Sequence, residues 1–237
     1  MALPKIEYPI MDCIVPSTKK KIEFRQMLVK DEKILLMAKQ AESQADIFKS
    51  VKQVVNNCVL SKDFNIDKTP IFDIEYLFIK IRAASINNVS KVSYRDLDDN
   101  EVYDFDIPLD TIEVEFPEDA PSNVIKVNDQ IGFTLNYPNG RVYDDDKVFG
   151  NEAANFEDLV AGCIDKVYDG DDVTDASLST KEELVEFVQS LDVKTFEKIK
   201  DFLSTTPYIK HVITYKNKLG TEKTINLTTL TDFFTFA

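Results

Sequence analysis

The sequence predicts an α+β protein: a helical N-terminal segment, then β-hairpins and other antiparallel strands, then a helical insert followed by a C-terminal hairpin and short helix. Three observations predict it. Apolar residues recur at helical spacing between residues 31 and 85, the pattern of a helix with one face turned to a core. After residue 88 the period changes to two, the pattern of half-buried strands. Helical spacing returns over about 152–204, and alternation resumes at 209–227.

Along the chain, Pro4, Pro9 and Pro16 mark residues 1–17 as an extended arm, since each proline removes a donor and disfavours helix before it. Ile22, Phe24 and Leu28 alternate with Glu23, Arg25 and Met27, a strand at about 21–29. Asp31 is placed to cap a helix carrying Ile34, Leu35, Ala38 and Ala41. A second helix at about 45–59 puts Ile47, Val51, Val54, Val55 and Cys58 on one stripe. Thr69-Pro70 reads as an N-cap and first helical residue for a third helix, about 70–85. Its stripe is Ile71, Ile74, Leu77, Phe78 and Ile81, but Phe72, Tyr76 and Ile79 lie off it, so the helix is apolar nearly all round. Such a helix is central or pressed against a partner.

Val89 to Tyr94 and Val102 to Ile107 form a hairpin around the acidic turn Asp96–Asn100, and further strands follow at 112–116, 124–127 and 131–135. Helices are expected at about 152–168, 180–190 and 193–204, with a solvated loop at 169–175; Thr180 and Glu183 form a capping box. The last hairpin, at 209–227, echoes the first. Tyr94 precedes Ile107 by 13 residues and Tyr215 precedes Leu227 by 12. Thr228 or Thr229 can cap a final short helix. The expected segments are 1–90 (arm, strand, three helices), 91–150 (acidic, β-rich) and 151–237 (helical insert, hairpin, short helix), able to pack as one discontinuous domain.

Composition bounds the function. Of 237 residues, 43% are hydrophobic and 11% aromatic, enough for a core and against wholesale disorder. The apolar runs fall far short of the ~20 residues a bilayer demands, and Pro4, Lys5, Glu7 and Pro9 interrupt any signal-peptide core. Cys13, Cys58 and Cys163, odd in number and widely spaced, read as reduced thiols of an intracellular protein. The net charge is −14, unevenly spread: residues 1–95 carry +5, residues 96–192 carry −22 and residues 193–237 carry +3. An acidic stretch repels nucleic acid and anionic lipid. It either keeps the protein soluble or attracts a basic protein surface.

No motif carries chemistry. The one histidine, His211, lies in an alternating strand, and one His with three isolated Cys gives no zinc spacing. The six glycines form no phosphate loop. Asp96–Asn100 starts like a calcium loop but has Glu101 where glycine belongs and Ile107 where the bidentate glutamate belongs. The expectation is no catalytic residue, no cofactor, no metal and no small-molecule substrate.

Two stretches do carry a family likeness. One runs Lys20-Lys-Ile-Glu-Phe24-Arg-Gln-Met-Leu-Val-Lys30, through Val51-Lys-Gln-Val-Val-Asn-Asn-Cys58, to Pro70-Ile-Phe-Asp-Ile-Glu-Tyr-Leu-Phe-Ile-Lys-Ile-Arg82. The other is Pro207-Tyr-Ile-Lys-His-Val-Ile-Thr-Tyr215, followed by Asn217, Gly220, Ile225, Leu227, Leu230 and Asp232-Phe-Phe234. Together they resemble the baseplate hub subunits and hub assembly proteins of T-even-type contractile-tailed bacteriophages. The likeness covers about 16–90 and 205–235, and the acidic middle matches only in kind. It implies a non-enzymatic protein, subunit or assembly chaperone, that works with other hub proteins in the virion tail baseplate or in the host cytoplasm during assembly. The alternative is a general intracellular interaction module with an acidic docking surface. Partner contact is expected at Phe72 and Tyr76 on the third helix and at Phe233, Phe234 and Phe236 in the tail. The tail has two readings: it seals the chain's own core, or part of it, Phe236 above all, inserts into a partner.

Overall fold

The computed structural model describes residues 6–41, 44–141 and 156–234. The described residues form two compact units. The first draws on 1–65, 72–115 and 208–237, the second on 66–71 and 116–207. The sequence stretches of the first hold 19 Lys and Arg against 21 Asp and Glu; those of the second hold 9 against 21, so the second carries −12 of the net −14.

In the first unit, strands β1 (Ile10–Ile14) and β2 (Lys21–Arg25) form an antiparallel pair. Helices α1 (Val29–Ala41), α2 (Gln44–Cys58) and α3 (Ile71–Ser85) follow. The expected strand at 21–29 stops at Arg25, because α1 begins at Val29. Asp31 is accordingly not the N-cap but the third helical residue. Its carboxylate accepts the Leu28 N–H at 2.9 Å, the reciprocal half of a capping box. Asp31 is fully buried, and Arg25 at 2.7 Å and Asn57 at 3.1 Å satisfy it. Burial pushes its carboxyl up, but the Arg25 and Leu28 bonds outweigh this and hold it below the usual carboxylate range.

Strands β3 (Val89–Arg95) and β4 (Val102–Pro108) make the first hairpin, and β5 (Glu113–Glu115) joins the second, β10 (Tyr208–Lys216) with β11 (Glu222–Leu227), in the order β11-β10-β5. The echo between the hairpins is structural. Ile107 stands opposite Ser90, four residues before Tyr94; Leu227 stands opposite His211, four before Tyr215. Asp96 N–H bonds to Glu101 O across one turn and Asn217 N–H to Thr221 O across the other. The residue before each closing position, Asn100 or Gly220, has positive φ. One residue fewer in the second turn accounts for 12 against 13.

The hairpins also touch. The Tyr215 ring lies 4.8 Å from Tyr103 and 5.3 Å from Phe105, and its hydroxyl donates to Asp96 at 2.7 Å. Lys218 pairs with Glu101, Lys223 with Asp98 and Lys210 with Glu115. Part of the acidic stretch therefore meets the chain's own lysines.

The second unit has one sheet, β6 (Val124–Lys126), β7 (Ile131–Leu135), β8 (Ile164–Asp169) and β9 (Asp172–Asp175), in sequence order. Its helices are α4 (Phe156–Cys163), α5 (Lys181–Gln189) and α6 (Val193–Ser204). Phe133, Leu135, Val160, Cys163, Ile199 and Phe202 make its core. The α5 capping box forms as the sequence predicts, with Glu183 N–H on Thr180 Oγ1 at 3.2 Å and Thr180 N–H on the Glu183 carboxylate at 2.8 Å.

The expected helix at 152–168 is different: among the described residues it ends at Cys163, and Ile164 starts a strand. The cause is a β-bulge. Leu135 pairs with Ile164 and Phe133 with Val167, with a register shift between Thr134 and Leu135. One extra residue, Asp165, puts Ile164 and Val167 on one face three residues apart, which in sequence is indistinguishable from helical spacing. The expected loop at 169–175 contains β9, turned by Gly170 at φ +61°, and every β9 residue is exposed. With no buried face it shows no alternation to read.

Gly140 N–H donates to Thr69 O at 3.0 Å and Ile71 N–H to Pro138 O at 2.9 Å. A Cβ on Gly140 would lie 2.2 Å from the Ile66 carbonyl oxygen, whereas one on Gly162 would meet nothing within 4 Å. Gly140→Ala should lower stability by about 1–3 kcal/mol, read as a fall of several degrees in melting temperature. Gly162→Ala, in α4, should leave it unchanged or raise it, since alanine is the better helix former. Equal melting for the two variants would contradict the close approach.

Candidate interaction surface

Of the residues expected to meet partners, Phe72 and Tyr76 lie on α3 and Phe234 packs on its Phe78, and α3 is wrapped by its neighbours. Phe72, Ile74, Leu77, Phe78, Ile79 and Ile81 are all essentially inaccessible, so stripe and off-stripe residues alike are covered. Two acids are buried with them. Asp73 accepts the Ser17 N–H at 3.1 Å and the Ser17 hydroxyl. Burial raises its pKa, and the Ser17 bonds oppose the shift. Glu75 has its carboxyl pushed up to about 8, by burial first and by the Asp232 charge second.

Tyr76 is half-buried, and the Lys80 ammonium lies 4.9 Å from the centre of its ring. Lys80 also donates to the carbonyls of Asp110 at 2.9 Å, Ile112 at 3.3 Å and Leu109 at 3.4 Å, tying down the 3-10 turn at Leu109–Thr111. Burial lowers its pKa. The Lys80 charge opposes the burial-driven rise in the Cys13 thiol of β1. The Cys13 and Cys58 thiols are each pushed up to about 11 by burial, which keeps them protonated and poor nucleophiles at neutral pH.

In the tail, α7 (Leu230–Phe233) forms, and the Asp232 carboxylate accepts the amides of Thr228 and Thr229, each at 2.8 Å. Leu230 and Phe233 are buried, and the Ser90 hydroxyl donates to the Phe233 carbonyl. Phe234 is only partly buried. It meets Phe78 edge-to-face at 5.8 Å, with the Arg82 guanidinium 5.8 Å from its ring centre. Beside it opens a cavity of about 340 Å³ lined by Met27, Leu35, Phe78, Arg82, Ile86 and Phe234.

Of the five expected contact residues, then, Phe72 and Phe233 are interior, Tyr76 and Phe234 reach the surface, and Phe236 lies outside the described residues. Sequence reasoning missed Lys80, Phe78 and Arg82 as their neighbours. Lys80 and Tyr76 stand four apart on one helix, a spacing that could have flagged the pair. His211 is half-buried opposite Leu227, its pKa lowered by burial. Among the described residues no group of three or more His, Cys, Asp or Glu is placed to hold a metal, and no described helix is long and apolar enough to cross a membrane.

Glu75 sets a pH dependence. Its folded pKa of about 8 lies above the ordinary 4.5. Between those values the folded chain holds a proton that the unfolded chain has lost, so stability falls as pH rises through the window and levels off above it. Urea unfolding at several pH values should show wild type losing ground to Glu75→Gln from about pH 4.5 to about pH 8. A constant difference between the two proteins would mean that Glu75 titrates normally.

Neither a curated protein nor a solved structure matches the chain significantly. A family model does, over residues 8–235, nearly the whole length, and its description is T4 bacteriophage base plate protein. That is a family of phage structural proteins, and a match of this span covers both units. The chain belongs to the T4 bacteriophage base plate protein family and is a phage baseplate protein.

Proposed function

We propose that the chain serves the central hub of the baseplate, as a hub subunit or as the chaperone that assembles it, without enzymatic activity. One observation carries this reading. The two stretches with a likeness to hub proteins, about 16–90 and 205–235, are far apart in sequence, yet almost all of both falls in the first unit. The acidic middle, which matches only in kind, supplies most of the second. A likeness split along the chain but gathered in space is what a shared working surface produces.

The second unit, at −12, docks a basic surface on another hub protein. Opposite charge speeds the encounter and makes it salt-sensitive. The first hairpin offers less charge for this role, because its acids Asp98 and Glu101 already pair with Lys223 and Lys218. The partner is thus another protein of the baseplate, and the contact forms in the host cytoplasm before the tail is complete.

Two measurements test this. Mass spectrometry of purified virions separates the roles: a stoichiometric chain is a subunit, while a chain absent from virions but needed for hub formation is a chaperone. Complete hubs assembled in cells lacking the chain would overturn the proposal. Affinity for the hub partner should fall at least about tenfold between ~0.1 M and ~1 M salt, as the screening length shrinks from about 10 Å to about 3 Å. A constant affinity would transfer the contact from the acidic surface to an apolar one.

A further inference from the structure

β1 uses only one side of its backbone. It pairs with β2 from Ile10↔Arg25 to Ile14↔Lys21, and the Val15 N–H donates to Lys20 O at 2.9 Å. Antiparallel pairs alternate between bonded and non-bonded positions. Bonded positions therefore fall at Cys13 and Met11, and the amides and carbonyls of Ile10, Asp12 and Ile14 point away from β2. The far side of β2 has the same phase. Glu23, opposite Asp12, donates its N–H to Ser61 Oγ at 2.8 Å and accepts the Leu60 N–H at 2.8 Å. The outer edge of β2 is thus covered by 60–61, while no described strand lies on the outer edge of β1.

The side chains of the same residues are apolar and in water. Ile10 is 63% exposed and Ile14 57%, and the stripe continues through Tyr8 to Ile6 at 71%. Folded proteins ordinarily blunt an open edge with lysine, proline, a bulge or a covering loop. Within Ile10–Ile14 no lysine, proline or bulge interrupts the strand; its one charge, Asp12, is exposed and lies 3.2 Å from Lys21. The hairpin end beside Ile14 is basic, with Lys19, Lys20 and Lys21 all exposed.

We propose that β1 is an acceptor edge to which an extended segment of another baseplate protein adds as a third strand. Its main chain pairs with Ile10, Asp12 and Ile14; its alternate apolar side chains lie on Ile6, Tyr8, Ile10 and Ile14; its carboxylates meet Lys19 and Lys20. Backbone bonds supply affinity, and the apolar stripe sets register. A second copy of the chain fits less well, since antiparallel pairing about the strand centre opposes Asp12 to the Asp12 of the copy. The proposal rests on membership of the baseplate family and not on the hub reading, which the virion measurement tests separately.

Hydrogen exchange on the free chain and on baseplate assembly intermediates containing it reads the edge directly. The Ile10, Asp12 and Ile14 amides should exchange freely in the first and slow at least about tenfold in the second. Unchanged exchange at those three amides overturns the proposal. The double variant Ile10→Glu with Ile14→Glu should melt like wild type yet fail to restore plaques to a phage lacking the chain, whereas Ile10→Val with Ile14→Val should restore them. Plaques from the glutamate variant also overturn it, as does a free-chain dimer in sedimentation that the glutamate variant abolishes, because the occupant is then a second copy.

Discussion

A fifteen-residue helix with apolar side chains on every side and two buried acids among them leaves the first unit little freedom. An exposed α3 would put a large apolar surface in water, and an α3 covered only by apolar groups would strand Asp73 and Glu75 without partners. Its neighbours answer some of these demands and anchor its end. Ser17, just past β1, serves Asp73; Ser85, at the end of α3, accepts the Met27 N–H at 2.8 Å; and Phe234 closes on Phe78. Lys80 goes the other way, spending its ammonium on three carbonyls of the turn that leads to β5. The parts of the chain richest in the family likeness are thus the parts that wrap this helix.

Charge segregation along the sequence has two different uses. The acids of the first hairpin and β5 face lysines of the second hairpin, three pairs joining 98–115 to 210–223. Each exposed pair contributes little by itself. Together with the Tyr215 cluster and its bond to Asp96, they select which hairpin lies against which. The sequence stretches of the second unit hold twenty-one acids against nine cations, so acids outnumber cations there by twelve. A single figure for the acidic stretch therefore overstates what is offered to another protein.

Local features were legible in the sequence. The two N-terminal helices, the all-round apolar α3, the Thr180 capping box and the hairpin echo each rest on residues within about fifteen positions of one another. Failures came where a long-range pairing reshapes a local pattern. Opposite β7, an extra Asp165 gives β8 the spacing of a helix, and β9 pairs along its whole length without burying a side chain. The interaction surface was half legible. Aromatic content pointed to α3 and the tail, but which aromatics turn inward depends on the partners of α3 at residues 13, 17 and 109–112, which no local period encodes. Prolines marked residues 1–17 as an extended arm, but neither the strand Ile10–Ile14 within it nor the exposed stripe along that strand was legible.

The first unit is assembled from pieces that leave the ribosome at different times. Residues 72–115 emerge well before 208–234, and at translation speeds of about 5–20 residues per second the interval is on the order of 5–20 s. Throughout it Phe78 has no Phe234, the β5 edge has no β10, and Asp96 has no Tyr215. The second unit, all but six of whose residues lie in the run 116–207, emerges and can close first. Synthesis thus leaves the Phe78 side of α3 without its C-terminal cover for seconds in every newborn chain, long enough for cellular holdases to compete with residues 208–234 for that side of the helix.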